Sequence, residues 1–341
     1  MKNRYQHGRS RRRRGSGNIG PHLLLGAFIL CLALFAAARL LIWNRGTQSG
    51  YDASAVDTSS VAVEVQDFIV PLSEEQMAGH TYDSVTRILC LGGNLWLNDT
   101  SDTGIASVIA QTHEHTETVV AAFPDSRVTS LSPTYDPSTQ EGMDDIFNLF
   151  YVAYAIYTDD YGGLTNVSSV KEDPRYAQAV QTLKETDFDT IDVIAIAYDG
   201  IDYRTKAPVM NSDPDDISSY AGALKRAAEL LTKRYPFIRV VFLSPTYERY
   251  VDEAGRELDP VETDLGNGEM PGYISSAFLS SSAAGISFVD NYSGSVNALN
   301  YRRFLDGPYR LNADGNREVA RHFVKKILEN DPAEYQPPAA Q

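Results

Sequence analysis

The stretch from Leu23 to Trp43 sets the first limit on what this chain can be. It reads LLLGAFILCLALFAAARLLIW, 21 residues with a single charge, Arg39. At about 1.5 Å of rise per residue, such a helix just crosses a hydrocarbon core of roughly 30 Å. Arg39 lies four residues before Trp43 and can snorkel to the interface that suits the indole. Ahead of the span lie Lys2, Arg4, Arg9, Arg11, Arg12, Arg13 and Arg14, with no acid among them. The positive-inside rule then expects a cytoplasmic N-terminus and an extracytoplasmic C-terminal bulk. The pattern predicts a single-pass signal anchor in the cell membrane. A cleaved signal peptide, using Ala36-Ala37-Ala38, is the second reading, but cleavable apolar cores run only about 7–15 residues. A twin-arginine export signal is the third. The basic run reads as a topology signal beside anionic lipid rather than as a nucleic-acid arm.

Charge divides the chain. Beyond residue 45 there are 21 basic and 45 acidic residues, which excludes nucleic acid as a partner held by bulk electrostatics. Cys31 lies in the span and Cys90 in the apolar run RILCLGG, so no disulfide is expected and no redox role either.

The polar composition of residues 44–86 predicts a linker or stalk, with one short strand within Val61–Val70. From residue 87 to 330, apolar runs alternate with amphipathic segments. Strands are expected at Ile88–Leu91, Thr118–Ala122, Ile191–Ala197, Ile238–Leu243 and Ile286–Val289, each short and continuously apolar, as strands covered on both faces are. Helices are expected at Met143–Tyr157, at Ser219–Arg234 with Asp213-Pro214 as its start signal, and at Glu318–Leu328. This alternation predicts a three-layer α/β domain with a mainly parallel five-stranded sheet. Residues 1–22 read as a basic cytoplasmic tail and 331–341 as a disordered C-terminal tail.

In an open parallel sheet, ligands meet the C-terminal ends of the strands. Three such ends carry chemistry: Leu91-Gly92-Gly93-Asn94, then Ala197-Tyr198-Asp199-Gly200-Ile201-Asp202-Tyr203, then Leu305-Asp306-Gly307-Pro308-Tyr309-Arg310-Leu311-Asn312 before the last helix. In order and spacing these segments resemble the SGNH (GDSL-type) hydrolase family, over about residues 87–330. The resemblance implies a flavodoxin-like fold and a lineage of esterases, lipases and carbohydrate deacetylases. It is strongest in LDGPYRLNADGNREVARHFVKKIL.

The family's catalytic residues carry over poorly. Its nucleophilic Ser falls on Asn94 and the adjacent Asp on Gly93. The Gly and the oxyanion Asn of the middle motif fall on Asp199 and Ile201, while the motif's Asp is kept as Asp202. The triad Asp is kept as Asp306; the triad His falls on Tyr309, or on Arg310 with a one-residue insertion. The loop after the second strand, AFPDSRVTS, lacks the expected glycine. Acyl transfer needs a nucleophile activated by a base, and each missing oxyanion donor removes about 2.7–4 kcal/mol of transition-state stabilisation.

His80 falls in the stalk, His113 and His115 at the end remote from the crevice, and His322 outside the apolar arc of the last helix. No metal and no cofactor is expected, although His113-x-His115 with Glu114, or the trio Asp199, Asp202 and Asp306, are conceivable cation ligands. The expected function is a pseudo-hydrolase domain on a membrane tether that binds a cell-surface glycan or a protein. The alternative is an active esterase or acyl transferase of the carbohydrate O-acetyl type with a relocated nucleophile, the candidates being Ser130, Ser132 and Ser244. Asn98-Asp99-Thr100, Asn166-Val167-Ser168 and Asn291-Tyr292-Ser293 match the N-glycosylation pattern.

Overall fold

The computed structural model describes residues 65–330, apart from 79, 81, 82 and 253. The expected span Leu23–Trp43, the basic tail and the C-terminal tail lie outside the described residues. Among the described residues no helix is long and apolar enough to cross a membrane.

The strands are β1 (Thr86–Gly92), β2 (Thr116–Ala122), β3 (Val193–Ala197), β4 (Arg239–Leu243), β5 (Tyr250–Val251), β6 (Glu257–Leu258) and β7 (Ser287–Val289). Five form one sheet in the order β2-β1-β3-β4-β7, with every neighbouring pair parallel. Counted within the sheet this is the order 2-1-3-4-5 of the flavodoxin-like doubly wound fold, so the expected architecture holds. β5 and β6 make a small antiparallel ribbon.

The apolar runs become central strands because both faces are covered. Leu89, Leu91, Ile194, Ile196, Val240 and Phe242 pack into one core with the helices α2 (Leu149–Thr158), α3 (Pro174–Glu185), α4 (Tyr220–Arg234) and α5 (Met270–Ala284). Ile88, Cys90, Val193, Ala195, Val241 and Leu243 point the other way, toward α1 (Ile105–Thr112) and α6 (Ala313–Phe323). The period-2 alternation of a strand thus feeds two cores.

Helix ends differ from the sequence reading for local reasons. α4 starts at Ser219, whose hydroxyl caps the Gly222 N–H, and not at Asp213-Pro214. α2 starts after Asn148, which caps Tyr151; residues before it form two shorter turns. α6 begins earlier than expected, because Asn312 accepts from both Asp314 and Gly315 N–H.

The largest correction concerns the stalk. Residues 65–70, expected within the 44–86 linker, are docked on the domain. Phe68 and Phe288 exchange both backbone hydrogen bonds, at 2.9 and 2.7 Å, which gives the short outer strand β7 an antiparallel neighbour. The Val70 N–H donates to Ser287 Oγ at 3.0 Å. Asp67 accepts from the Asp290 N–H at 2.9 Å and lies 3.0 Å from His322 Nε2 and 3.4 Å from Lys326 Nζ. His322, expected at the surface, is therefore fully buried: the docked segment covers the helix face that the amphipathic pattern leaves polar.

Candidate functional site

Gly93 and Asn94 follow β1, and Asp199, Ile201 and Asp202 follow β3, at the C-terminal ends of those strands, with different surroundings for each. Asn94 opens a short helix (Asn94–Leu97) directly after β1. Its Nδ2 donates to Asp125 Oδ1 at 3.0 Å, and its Oδ1 accepts the Asp125 N–H at 3.1 Å. The Asn94 carboxamide thus ties the β1 turn to the β2 turn. Asp125 itself has φ +51°, so the loop keeps a left-handed residue without the expected glycine, and an aspartate tolerates that region better than most residues. Space at Gly93 is tight: a Cβ there would sit 3.0 Å from the Tyr198 ring and 3.1 Å from Ser126 O.

Asp202 is buried after β3. It accepts from the Val128 N–H at 2.9 Å, the Thr129 N–H at 3.0 Å and Thr129 Oγ1 at 2.7 Å. Burial pushes its pKa up, and these hydrogen bonds oppose that. Its role is to clamp the β2 loop to β3, a bond between distant segments rather than the local turn that an Asp in a loop suggests. Ile201 offers no side-chain donor and lines an adjoining cleft.

Asp199, Gly200 and Tyr309 meet three residues that sequence reasoning missed. Arg204 Nη2 donates to Asp199 Oδ2 at 2.7 Å, and Arg204 Nη1 to Glu248 Oε2 at 2.6 Å. Glu248 Oε1 accepts the Gly200 N–H at 2.8 Å, and the Tyr250 hydroxyl donates to Glu248 Oε2 at 2.9 Å. Both carboxylates are buried, with side chains 3% and 1% exposed. Burial raises the Glu248 pKa to about 7; Arg204 pulls it down and Asp199 pushes it up. Burial works against the Arg204 charge, but Glu248 and Asp199 outweigh it and raise the Arg204 pKa. Gly200 is required by this cluster, because a Cβ would come within 2.3 Å of the Tyr250 hydroxyl and 2.8 Å of Glu248 Oε2.

Tyr309 lies over this cluster. The Arg204 guanidinium carbon is 4.3 Å from its ring centroid, and the Tyr250 ring is 5.7 Å away. The Tyr309 ring thus stacks on a cation. Asp306 and Arg310 are exposed on the tight loop that Leu305 and Leu311 close, where the Asp306 N–H donates to Arg310 O at 2.7 Å. Asp199, Asp202 and Asp306 therefore do not converge, and among the described residues no group of three His, Cys, Asp or Glu could hold a metal ion.

The candidate serines are engaged elsewhere. Ser130 Oγ donates to Asp145 Oδ2 at 2.6 Å, Ser132 Oγ to Thr134 O at 2.8 Å, and Ser244 Oγ to Pro245 O at 3.1 Å while accepting the Tyr292 N–H. His80 contacts Asp192 at 3.0 Å and stacks on Phe237, and His113 contacts Thr116 at 2.8 Å; both lie at the N-terminal end of the sheet. Chemically, the crevice offers fixed hydrogen bonds and a buried ion cluster. Among the described residues it pairs no serine with an imidazole.

No family model matches the sequence, and no curated protein matches it either. Solved structures with a similar course of the chain include a protein from Lactobacillus plantarum (16% identity, TM-score 0.45, covering 74% of this chain and 100% of that one). Another is a possible lipase from Chitinophaga pinensis (10% identity, TM-score 0.46, 72% and 99%). A third is a carbohydrate acetylesterase family member from Sinorhizobium meliloti (12% identity, TM-score 0.42, 72% and 100%). These are likenesses of fold at low identity; the sheet order above describes that fold independently.

Proposed function

We propose that this chain is a membrane-tethered, extracytoplasmic SGNH hydrolase-like domain that has given up ester hydrolysis and acts as a binding module for cell-surface glycan. One observation supports the reading above the others. Tyr309, one of the two residues that the resemblance aligns with the family's base, stacks on Arg204, and Arg204 is bound to two buried carboxylates. The tether rests on the Leu23–Trp43 span and the basic residues before it.

The test is to offer the full chain 4-nitrophenyl acetate and acetylated sugars, and to probe it with a serine-reactive fluorophosphonate. The expected result is neither turnover nor labelling. Turnover that disappears in Ser130→Ala, Ser132→Ala or Ser244→Ala would overturn the proposal in favour of a relocated nucleophile.

A further inference from the structure

Beside the crevice, on the side of Ile201, lies a cleft of about 550 Å³, within the usual range of small-molecule sites. Its walls come from the segment after β2 and from the start of α3, and Asp125, which holds Asn94, forms part of its rim. Four cationic or amide side chains line it, and Gln140 Nε2 is spent on Asp144 at 2.9 Å. Lys171 Nζ is spent on Asp144 at 2.7 Å. Arg127 is different: its guanidinium comes no closer than 3.9 Å to Asp145, whose oxygens already serve Ser130 and the Leu131 N–H. Asn148 is 2% exposed; its Oδ1 caps α2, and its Nδ2 has no hydrogen-bond partner. A buried donor left unpaired costs stability, and a small shift of the carboxamide that opens it to an acceptor in the cleft would recover that cost.

The charge of the walls decides the ligand class. Asp125, Glu141, Asp144 and Asp145 outnumber Arg127 and Lys171, which disfavours an anion. The acids are mostly tied to protein donors, while Arg127 and Asn148 keep donors in reserve, which disfavours a cation. A neutral ligand rich in hydroxyl and carbonyl acceptors fits both facts. We infer that this cleft binds a neutral saccharide of about one or two rings, with Arg127 and Asn148 as its donors. The inference rests on the proposed glycan-binding role and locates it in this cleft rather than in the old catalytic crevice.

The experiment uses the full chain in mild detergent. Glucose, galactose, N-acetylglucosamine, cellobiose, lactose and N,N′-diacetylchitobiose are the probes, read by saturation-transfer NMR and calorimetry. At least one should bind saturably. Arg127→Gln and Asn148→Asp should each weaken it about tenfold, the size of one lost hydrogen bond. Asn148→Asp keeps an oxygen for the Tyr151 N–H, so the cap of α2 survives. Hydrogen exchange, which needs no variant, should show protection by the bound probe within residues 124–149 and 171–176. Absence of saturable binding by every neutral probe overturns the inference, as does protection elsewhere. Unchanged affinity in both folded variants, or preference for glucuronate or glucosamine, overturns it too. Ester turnover together with intact, donor-dependent binding would remove the non-catalytic reading while supporting the cleft.

Discussion

Arg204→Met is the most informative perturbation of this structure. The substitution keeps much of the side-chain volume and removes a charge shared by two buried carboxylates, at 2.7 Å from Asp199 and 2.6 Å from Glu248. Removing one partner of a buried ion pair costs about 3–5 kcal/mol, because the charge left behind is uncompensated. Loss of the Tyr309 stack adds about 0.5–1 kcal/mol. For a domain of this size the first figure alone corresponds to a fall in melting temperature of about 6–20 °C.

The pH dependence is the stricter check. The folded pKa of Glu248 is raised to about 7 by burial, above its ordinary value of 4.5. The folded state therefore holds this proton more tightly than the unfolded state. The associated stability is fully present below the unfolded pKa and is lost as pH rises toward the folded one. Without Arg204 the raised pKa climbs further, so the deficit of the variant should be smaller at about pH 5 than at about pH 8. Urea unfolding followed by circular dichroism across that range measures it. The triple variant Arg204→Met/Asp199→Asn/Glu248→Gln should recover at least half of the loss. A deficit under about 1 kcal/mol, independent of pH, would show that water screens the cluster, and the account of a filled crevice would fail.

Asn94→Ser should cost about 1 kcal/mol for the lost link to Asp125 and give no esterase activity toward 4-nitrophenyl acetate; turnover above the uncatalysed rate would refute the crevice geometry. Gly200→Ala should destabilise by about 1–3 kcal/mol, since its Cβ overlaps the Tyr250 hydroxyl and Glu248, and a fully stable variant in a urea melt would count against the buried position of Glu248. Asp67→Asn tests the docked segment. Burial works against the Asp67 charge, but the hydrogen bond and charge of His322, the Asp290 N–H and Lys326 outweigh it and lower the pKa. Its contribution is thus present above the ordinary carboxylate pKa and lost as pH falls through the lowered one. The wild type should exceed the variant by about 1–3 kcal/mol near neutral pH and converge with it in acid. A difference that persists at low pH would contradict the assignment.

The fold was legible because its signal is local. All five sheet strands coincide with short apolar runs, since a strand covered on both faces needs no polar position. Gly93, Asn94, Asp199, Ile201 and Asp202 lie, as expected from the strand positions, just after β1 and β3. Their partners were not legible. Glu248 is 44 residues from Arg204, and no motif spacing joins them. The one available hint is its place in SPTYERY, a carboxylate flanked by aromatics immediately after a buried strand. His322 misled for a related reason. A helix face that reads polar is assigned to solvent unless the segment that covers it is known, and Asp67 lies 255 residues away.

That covering segment also fixes where the domain bears mechanical load. Any pull arriving along the chain ahead of residue 65 meets the Gln66 N–H bond to Asp290 Oδ2, then the Asp67 contacts to Asp290, His322 and Lys326, then the Phe68–Phe288 exchange. These bonds join the chain at once to the sheet's outermost strand and to the closing helix. A tug is therefore shared between two layers and cannot unzip a single strand.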